Sequence, residues 1–143
     1  FKKIILFSFL ISSFIFLLHN KFSLKQKLFW NDFNKEFLES NLENDKFIIV
    51  DVTADWCITC QVNKITTLSS DKFKEFVRRN NVVTIRADWT KKDTEIFEYI
   101  KNFGRFGIPV NIVYGPKNKE GILLPEIISN DIVINKFIKV GAK

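Results

Sequence analysis

The sequence predicts an α/β fold, in which helices cover both faces of a central β-sheet, preceded by one transmembrane helix. Three observations support this. Short apolar, β-branched runs alternate with segments of helical periodicity. The last two strand-like runs are separated by the turn sequence GPKNKEG, and an amphipathic segment follows them. Residues 4–18 form an uncharged apolar run.

The apolar run IILFSFLISSFIFLL covers roughly 22 Å at helical rise, less than the roughly 30 Å hydrocarbon core. Flanking lysines that snorkel, or a locally thinner bilayer, would make up the difference. A cleaved signal peptide and a buried helix of a soluble domain are the alternatives, but no small-residue cleavage site follows the run. We therefore expect a transmembrane helix in residues 1–20, a linker in 21–31 and a folded domain in 32–143.

The net charge of +6 is concentrated at the start of the chain. Five of the 22 basic residues precede residue 28, where no acidic residue lies, so 17 basic residues remain against 16 acidic ones. This even balance leaves no basic patch in the sequence that would argue for nucleic-acid binding. Because lysines lie on both sides of the apolar run, charge does not predict its orientation.

The elements of the first half follow from capping residues and apolar patterns. Asp32 is predicted to cap a helix in DFNKEFLESNLENDK. The run KFIIVDVTA predicts a strand buried on both faces, and a helix should continue from the cysteines to about Leu68. Ser69 or Ser70 can cap the next helix, in which apolar residues recur at helical spacing.

The second half continues the alternation. The run NVVTIRA predicts a strand, and residues 93–103 predict a helix that Gly104 ends. The run VNIVY predicts a third strand, and the short run ILL after the turn predicts a fourth. Residues 130–140 predict the closing helix.

Both cysteines, Cys57 and Cys60, lie in ADWCITC, directly after the first predicted strand. A zinc site would need further ligands from another chain, since zinc takes about four and the one histidine borders the apolar run. A structural disulfide closing so short a loop would stabilise little. If a helix begins near Cys57, its N-terminus favours thiolate there and places Cys60 one turn away. The position favours a redox pair, in which Cys57 attacks and Cys60 resolves, without a bound cofactor or metal.

The strand, the segment DVTADWCITC and the helix after it resemble the thioredoxin-like family with its W-C-x-x-C site, over roughly residues 30 to 140. The resemblance implies the thioredoxin-like fold, a central mixed β-sheet flanked by helices. The segment FGIPV is similar to the loop that holds a cis proline opposite the cysteines in this family. It implies that Pro109 is cis and that the backbone of Ile108 binds a substrate peptide. An ordinary trans proline at a strand edge is the alternative.

Asp51 lies in the middle of an apolar strand, where burial of a carboxylate is unfavourable and would raise its pKa. The resemblance implies that an acid at this position assists deprotonation of the resolving Cys60. A solvated strand end is the alternative. Trp56 is expected to contact partner proteins beside Cys57, with simple packing as the alternative, and Asp55 is either a solubility residue or a tuning residue.

The segments VTADWCITCQVN, RADWT and LPE resemble the C-terminal domain of the DsbD family of thiol:disulfide interchange proteins and its suppressor-of-copper-sensitivity relatives more than free thioredoxin. The resemblance implies that a membrane-embedded cysteine pair, of the same or a neighbouring chain, donates electrons and that a periplasmic disulfide protein accepts them. It implies an inner-membrane location with the domain facing the periplasm. The apolar run would then be the last helix of a larger membrane core.

Two departures from this family concern the neighbourhood of the cysteines. Lys64 stands where these domains commonly have a glutamate, and Ile58 and Thr59 match neither the reducing nor the oxidising dipeptide. The direction of electron flow therefore rests on the resemblance. A self-standing membrane-anchored thioredoxin-like reductase for cytochrome c maturation and a non-redox interaction module of the same fold are the alternative functions.

Overall fold

The computed structural model describes residues 28–143, which form a five-stranded mixed sheet with helices on both faces. The predicted α/β class is therefore confirmed. The predicted transmembrane helix and residues 21–27 of the predicted linker lie outside the described residues. Within residues 28–143, the helices are too short or too polar to cross a bilayer.

Five strands and five helices follow one another along the described chain. The strands are β1 (Asn31–Asp32), β2 (Ile48–Thr53), β3 (Val83–Asp88), β4 (Val110–Gly115) and β5 (Asn118–Leu123). The helices are α1 (Lys35–Glu43), α2 (Ile58–Asn63), α3 (Asp71–Arg79), α4 (Thr94–Lys101) and α5 (Asn130–Lys139), and a π-helical turn (Lys64–Leu68) extends α2.

The order of strands across the sheet is β1-β3-β2-β4-β5. The neighbours β1 and β3, and also β2 and β3, run parallel, whereas β4 is antiparallel to both β2 and β5. The central strand β2 is buried at five of its six residues. Because β4 runs antiparallel to β2, the start of β4 lies beside the end of β2, where the cysteine segment leaves the sheet.

Each face of the sheet has its own apolar core. On one face, Leu38 of α1 and Ile100 of α4 belong to a cluster with Val50 at the centre of the sheet. On the other face, Phe73 of α3 and Phe137 of α5 belong to a cluster built on Ile49 and Val113, among others. Because successive side chains of β2 point to opposite faces and both faces are covered, apolar residues occur on both sides of this strand, with Asp51 as the exception.

Side-chain caps fix the helix starts, and one predicted cap is wrong. Of the two predicted caps of α3, Ser69 and Ser70, the structure has Ser70. Its hydroxyl accepts a hydrogen bond from the Phe73 backbone N–H. Asp32 does not cap α1: it lies in β1, beside Arg86 of β3. The side chain of Asn34 caps α1 instead, accepting from the backbone N–H of Phe37 at 2.8 Å.

The hairpin between β4 and β5 is tighter than predicted. Only Pro116 and Lys117 connect the two strands, and β5 already begins at Asn118. The predicted turn was too long because the first residues of β5 are polar, as an exposed edge strand allows. Gly121 has φ +89°, and a Cβ atom there would lie 2.5 Å from the Tyr114 ring, so glycine is required at this position.

Candidate active site

The two cysteines form a disulfide where β2 gives way to α2, with their Cα atoms 5.3 Å apart. Cys57 is the N-cap residue of α2, and its Sγ accepts a hydrogen bond from the backbone N–H of Cys60 at 3.2 Å. The expected start of the helix near Cys57 is thus confirmed. Both cysteines are buried, Cys57 at 6% and Cys60 at 3% exposure.

The loop before β4 packs against the disulfide. The peptide bond between Ile108 and Pro109 is cis, as the family resemblance implied. Ile108 is half-buried and contacts the small cluster of Ala54, Cys57 and Cys60, while Pro109 is buried. The structure therefore brings the predicted peptide-binding loop and the redox pair together. The binding of a substrate peptide by Ile108 stays a prediction.

Asp51 is 3% exposed in the middle of β2, which rules out the alternative of a solvated strand end. Burial raises the pKa of its carboxyl group above the ordinary value of 3.8. Arg86 opposes this increase in two ways. Its positive charge stabilises the carboxylate, and its Nε donates a hydrogen bond to Asp51 Oδ2 at 3.2 Å. The guanidinium group of Arg86 also stacks on the Trp30 ring, 4.3 Å from the centroid.

Lys64 begins the π-helical turn, one turn after Cys60. Its positive charge is a further, smaller influence that lowers the pKa of Asp51. The residue that departs from the DsbD pattern therefore acts on the predicted proton acceptor in the sense opposite to a glutamate. Lys64 and Arg86 together place two cations around one buried carboxyl group.

Apolar side chains are exposed on the segment that carries the cysteines and on the two loops that contact it, the Ile108 loop and the loop before α5, and we call them the exposed apolar surface. Trp56 is 61% exposed, and its Nε1 donates to the backbone oxygen of Thr90 at 3.3 Å. The Thr90 hydroxyl accepts from the Asp55 backbone N–H, so Thr90 fixes the loop before Cys57. Further exposed apolar side chains lie on α2, on the π-helical turn and on the two loops: Ile58, Val62, Ile65, Phe106 and Ile127. Of these residues, only Trp56 was predicted from the sequence to contact partner proteins.

Asn63 ties α2 to the loop before α5. It is fully buried, donates from Nδ2 to the Glu126 backbone oxygen at 2.7 Å, and accepts at Oδ1 from the Ile128 backbone N–H at 3.1 Å. The hydroxyl of Thr67 donates to the Ile128 oxygen at 2.8 Å. These three bonds fix the inner side of the helix that carries Cys60.

Asp51 is the one polar residue of an apolar strand that was predicted from the sequence to act at the site. Arg86 in NVVTIRA and Asn111 in VNIVY follow the same pattern, and both flank Asp51 in the sheet. In the part of the chain from residue 28 onward, no three His, Cys, Asp or Glu side chains are grouped to hold a metal ion. The chemistry available at the cysteine pair is reversible thiol–disulfide exchange, and the strand that leads to the pair carries the buried acid Asp51.

Comparisons with known proteins agree with this geometry. The family model described as Thioredoxin-like matches residues 30–116. The thiol:disulfide interchange protein DsbD of Campylobacter jejuni (strain RM1221) is 29% identical over 104 residues, which cover 72% of this chain and 18% of that protein. Thioredoxin H-type 1 of Nicotiana tabacum is 29% identical over 98 residues, 64% of this chain and 70% of that protein.

Among solved structures, the oxidised C-terminal domain of DsbD from Neisseria meningitidis superimposes with a TM-score of 0.57 and 21% sequence identity. The match covers 79% of this chain and 99% of that domain, which establishes the shared fold. This chain spans less than a fifth of the length of the Campylobacter relative.

Proposed function

Because this chain belongs to the thioredoxin-like family and is related in sequence to DsbD, we propose that it relays electrons between proteins through Cys57 and Cys60. A membrane-embedded cysteine pair, in the same or a neighbouring chain, is the proposed donor, and a periplasmic disulfide protein is the proposed acceptor. The observation that carries the proposal is the disulfide at the N-terminus of α2, packed against the cis Ile108–Pro109 loop. Thiol–disulfide exchange through such a pair proceeds by attack of a thiolate on a disulfide and needs no bound cofactor.

In the outward step, the Cys57 thiolate attacks one sulfur of the acceptor's disulfide, and the other acceptor sulfur leaves as a thiolate. Cys60 then loses its proton to Asp51 and attacks Cys57 Sγ, which breaks the mixed disulfide and forms the Cys57–Cys60 bond. The second acceptor sulfur leaves as a thiolate. Two electrons have then passed to the acceptor, whose two thiolates take up protons from water, while Asp51 returns the Cys60 proton to solvent. A donor dithiol then reduces the Cys57–Cys60 disulfide by the same exchange in reverse and becomes a disulfide itself.

The exposed apolar surface supports the binding of protein partners. Trp56 stands beside Cys57 with most of its ring exposed, and the backbone of Ile108 lies next to the disulfide. We place the acceptor's disulfide segment between these two residues, with Pro109 shaping the loop. Residues 1–20 would anchor the domain in the inner membrane, the residues after them would connect this anchor to the folded domain, and the folded domain would face the periplasm.

The reduction potential of the pair tests the proposed direction. The full chain, in a mild nonionic detergent, is equilibrated in thiol buffers and trapped by alkylation. A value between roughly −270 and −200 mV fits a domain that passes electrons outward, whereas a value near about −120 mV marks an oxidant and contradicts the direction. Cys57→Ser is the control, which must abolish the transition. A pair that does not cycle at all contradicts the redox function itself.

A further inference from the structure

Three polar side chains form a row across the centre of the sheet, on the face that α3 and α5 cover. Asp51 of β2 pairs in register with Arg86 of β3 on one side and with Asn111 of β4 on the other. Residues directly opposite each other in neighbouring strands project to the same face. The next pair along β2 and β4 on this face is apolar, Ile49 opposite Val113. The row is therefore a polar insertion in an apolar core.

The side chain of Asn111 is the unexplained member of this row. Asn111 is 1% exposed, and neither its Nδ2 nor its Oδ1 has a hydrogen-bond partner. Its backbone is ordinary, because its carbonyl oxygen accepts from the Leu124 N–H at 2.8 Å. A buried amide without partners is unfavourable, and an aliphatic residue such as the neighbouring Val110 or Ile112 would avoid the cost. We therefore expect the Asn111 amide to form hydrogen bonds in another state of the protein.

Asp51 can be that partner when it is neutral. Side chains directly opposite in antiparallel strands have Cβ atoms about 4.5–5.5 Å apart, within reach of two short polar groups. An amide can accept a hydrogen bond from the O–H of a carboxylic acid at Oδ1 and donate one from Nδ2 to the carbonyl oxygen of the acid. This pair of hydrogen bonds forms only when the acid carries its proton. A carboxylate could accept only from Nδ2 and would leave Oδ1 without a donor, and in the disulfide form Arg86 binds Asp51 from the other side.

We propose that Asp51 changes its partner with its charge: as a carboxylate it binds Arg86 on β3, and as a neutral acid it turns to Asn111 on β4. The charged groups that act on Asp51 among the described residues are Arg86 and, from the π-helical turn, Lys64. The neighbouring strand β4 presents the neutral amide, and α2 carries the cysteines. Asn111 is thus a positioning residue, which acts through Asp51.

This inference rests on the proposed function, in which Asp51 receives the proton of Cys60 as Cys60 Sγ attacks the mixed disulfide. Once neutral, Asp51 is attracted less by Arg86, and Asn111 holds its proton away from the guanidinium group. When the proton leaves, the charge returns Asp51 to Arg86. The amide therefore keeps the neutral acid in a defined orientation between two turnovers.

A titration followed by NMR in the full chain tests the exchange of partners. The disulfide form, isotopically labelled and in a mild nonionic detergent, is titrated while the Asp51 carboxyl carbon and the Asn111 side-chain amide are observed. We expect both signals to move with one midpoint, and the Asn111 response to vanish in Asp51→Asn. The amide of Asn63, which is bonded to Glu126 and Ile128, is the internal control and should not follow Asp51.

Two variants should shift the Asp51 midpoint in opposite directions. Asn111→Leu removes the partner of the neutral acid and should move the midpoint to lower pH, whereas Arg86→Gln removes the partner of the carboxylate and should move it to higher pH. An Asn111 amide that does not respond in the unmodified chain, or an unchanged midpoint in Asn111→Leu, overturns the proposal. Because the titration needs neither donor nor acceptor, it can fail while electron transfer through the cysteines stands, and the reverse also holds.

Discussion

Replacing Asn63 by alanine should destabilise the domain by about 2–4 kcal/mol. The substitution removes the hydrogen bond that Asn63 donates to the Glu126 oxygen, worth about 1 kcal/mol net. It also leaves the Ile128 N–H without its acceptor in a buried position, which costs about 1–3 kcal/mol. These bonds join positions more than 60 residues apart, so the unfolded chain offers no local substitute.

Urea unfolding of the full chain with the disulfide intact, followed by tryptophan fluorescence in a mild nonionic detergent, measures this loss. Asn41→Ala is the matched control, because Asn41 donates only to the Phe37 oxygen within its own exposed helix. Alanine also has the higher helix propensity, so this control should stay within about 0.5 kcal/mol of the unmodified chain. An Asn63→Ala variant as stable as the control would refute the anchoring role of Asn63.

Three further outcomes are expected. Burial raises the Asp51 pKa, so the folded chain binds the Asp51 proton more tightly than the unfolded chain, and stability falls as pH rises above about 3.8. At pH 7, Asp51→Asn should therefore be more stable than the unmodified chain, by about 1.4 kcal/mol for each unit by which folding raises the Asp51 pKa. Chemical unfolding at several pH values should show the stabilities of the two forms converging below pH 3.8. Gly121→Ala forces a Cβ atom against the Tyr114 ring at positive φ and should lower the free energy of urea unfolding by at least about 1–3 kcal/mol. The control Gly107→Ala, with open space around it, should lower it by less than about 0.5 kcal/mol. Equal losses of stability in the two variants would contradict the packing argument. Ile58→Ser, at a side chain 82% exposed, should leave stability unchanged but slow exchange with a partner protein several-fold, and an unchanged exchange rate would remove Ile58 from the binding surface.

The order of strands and helices was largely predictable because local patterns and burial agree. The run around Ile48–Thr53 is apolar because both of its faces are covered, and Ser70 and Asp93 cap the helices that follow them. The prediction failed at the sheet edges. Asp32 suits a helix cap by type, but pairing with β3 places it in a two-residue strand. The polar start of β5 gave no strand pattern, because an edge strand is only partly covered.

Only those parts of the candidate site that a motif or a single unusual residue marks in the sequence could be predicted. The spacing of Cys57 and Cys60 indicated a redox pair, and the family resemblance placed a cis proline opposite them. The partners of Asp51 could not be predicted in the same way, because Arg86 and Asn111 lie 35 and 60 positions away along the chain. Only the register of three strands brings them together.

The free edge of the sheet has a consequence for solubility. A domain whose function requires repeated contact with other proteins must avoid pairing its own strands with those of a second copy. The edge strand β5 carries Lys119 and Glu120, and Gly121 follows them at positive φ. Lys119 also forms an ion pair with Asp45 at 2.7 Å. Charge and an irregular backbone therefore protect the outer edge of the sheet from aggregation, which leaves the surface around the disulfide free to be apolar.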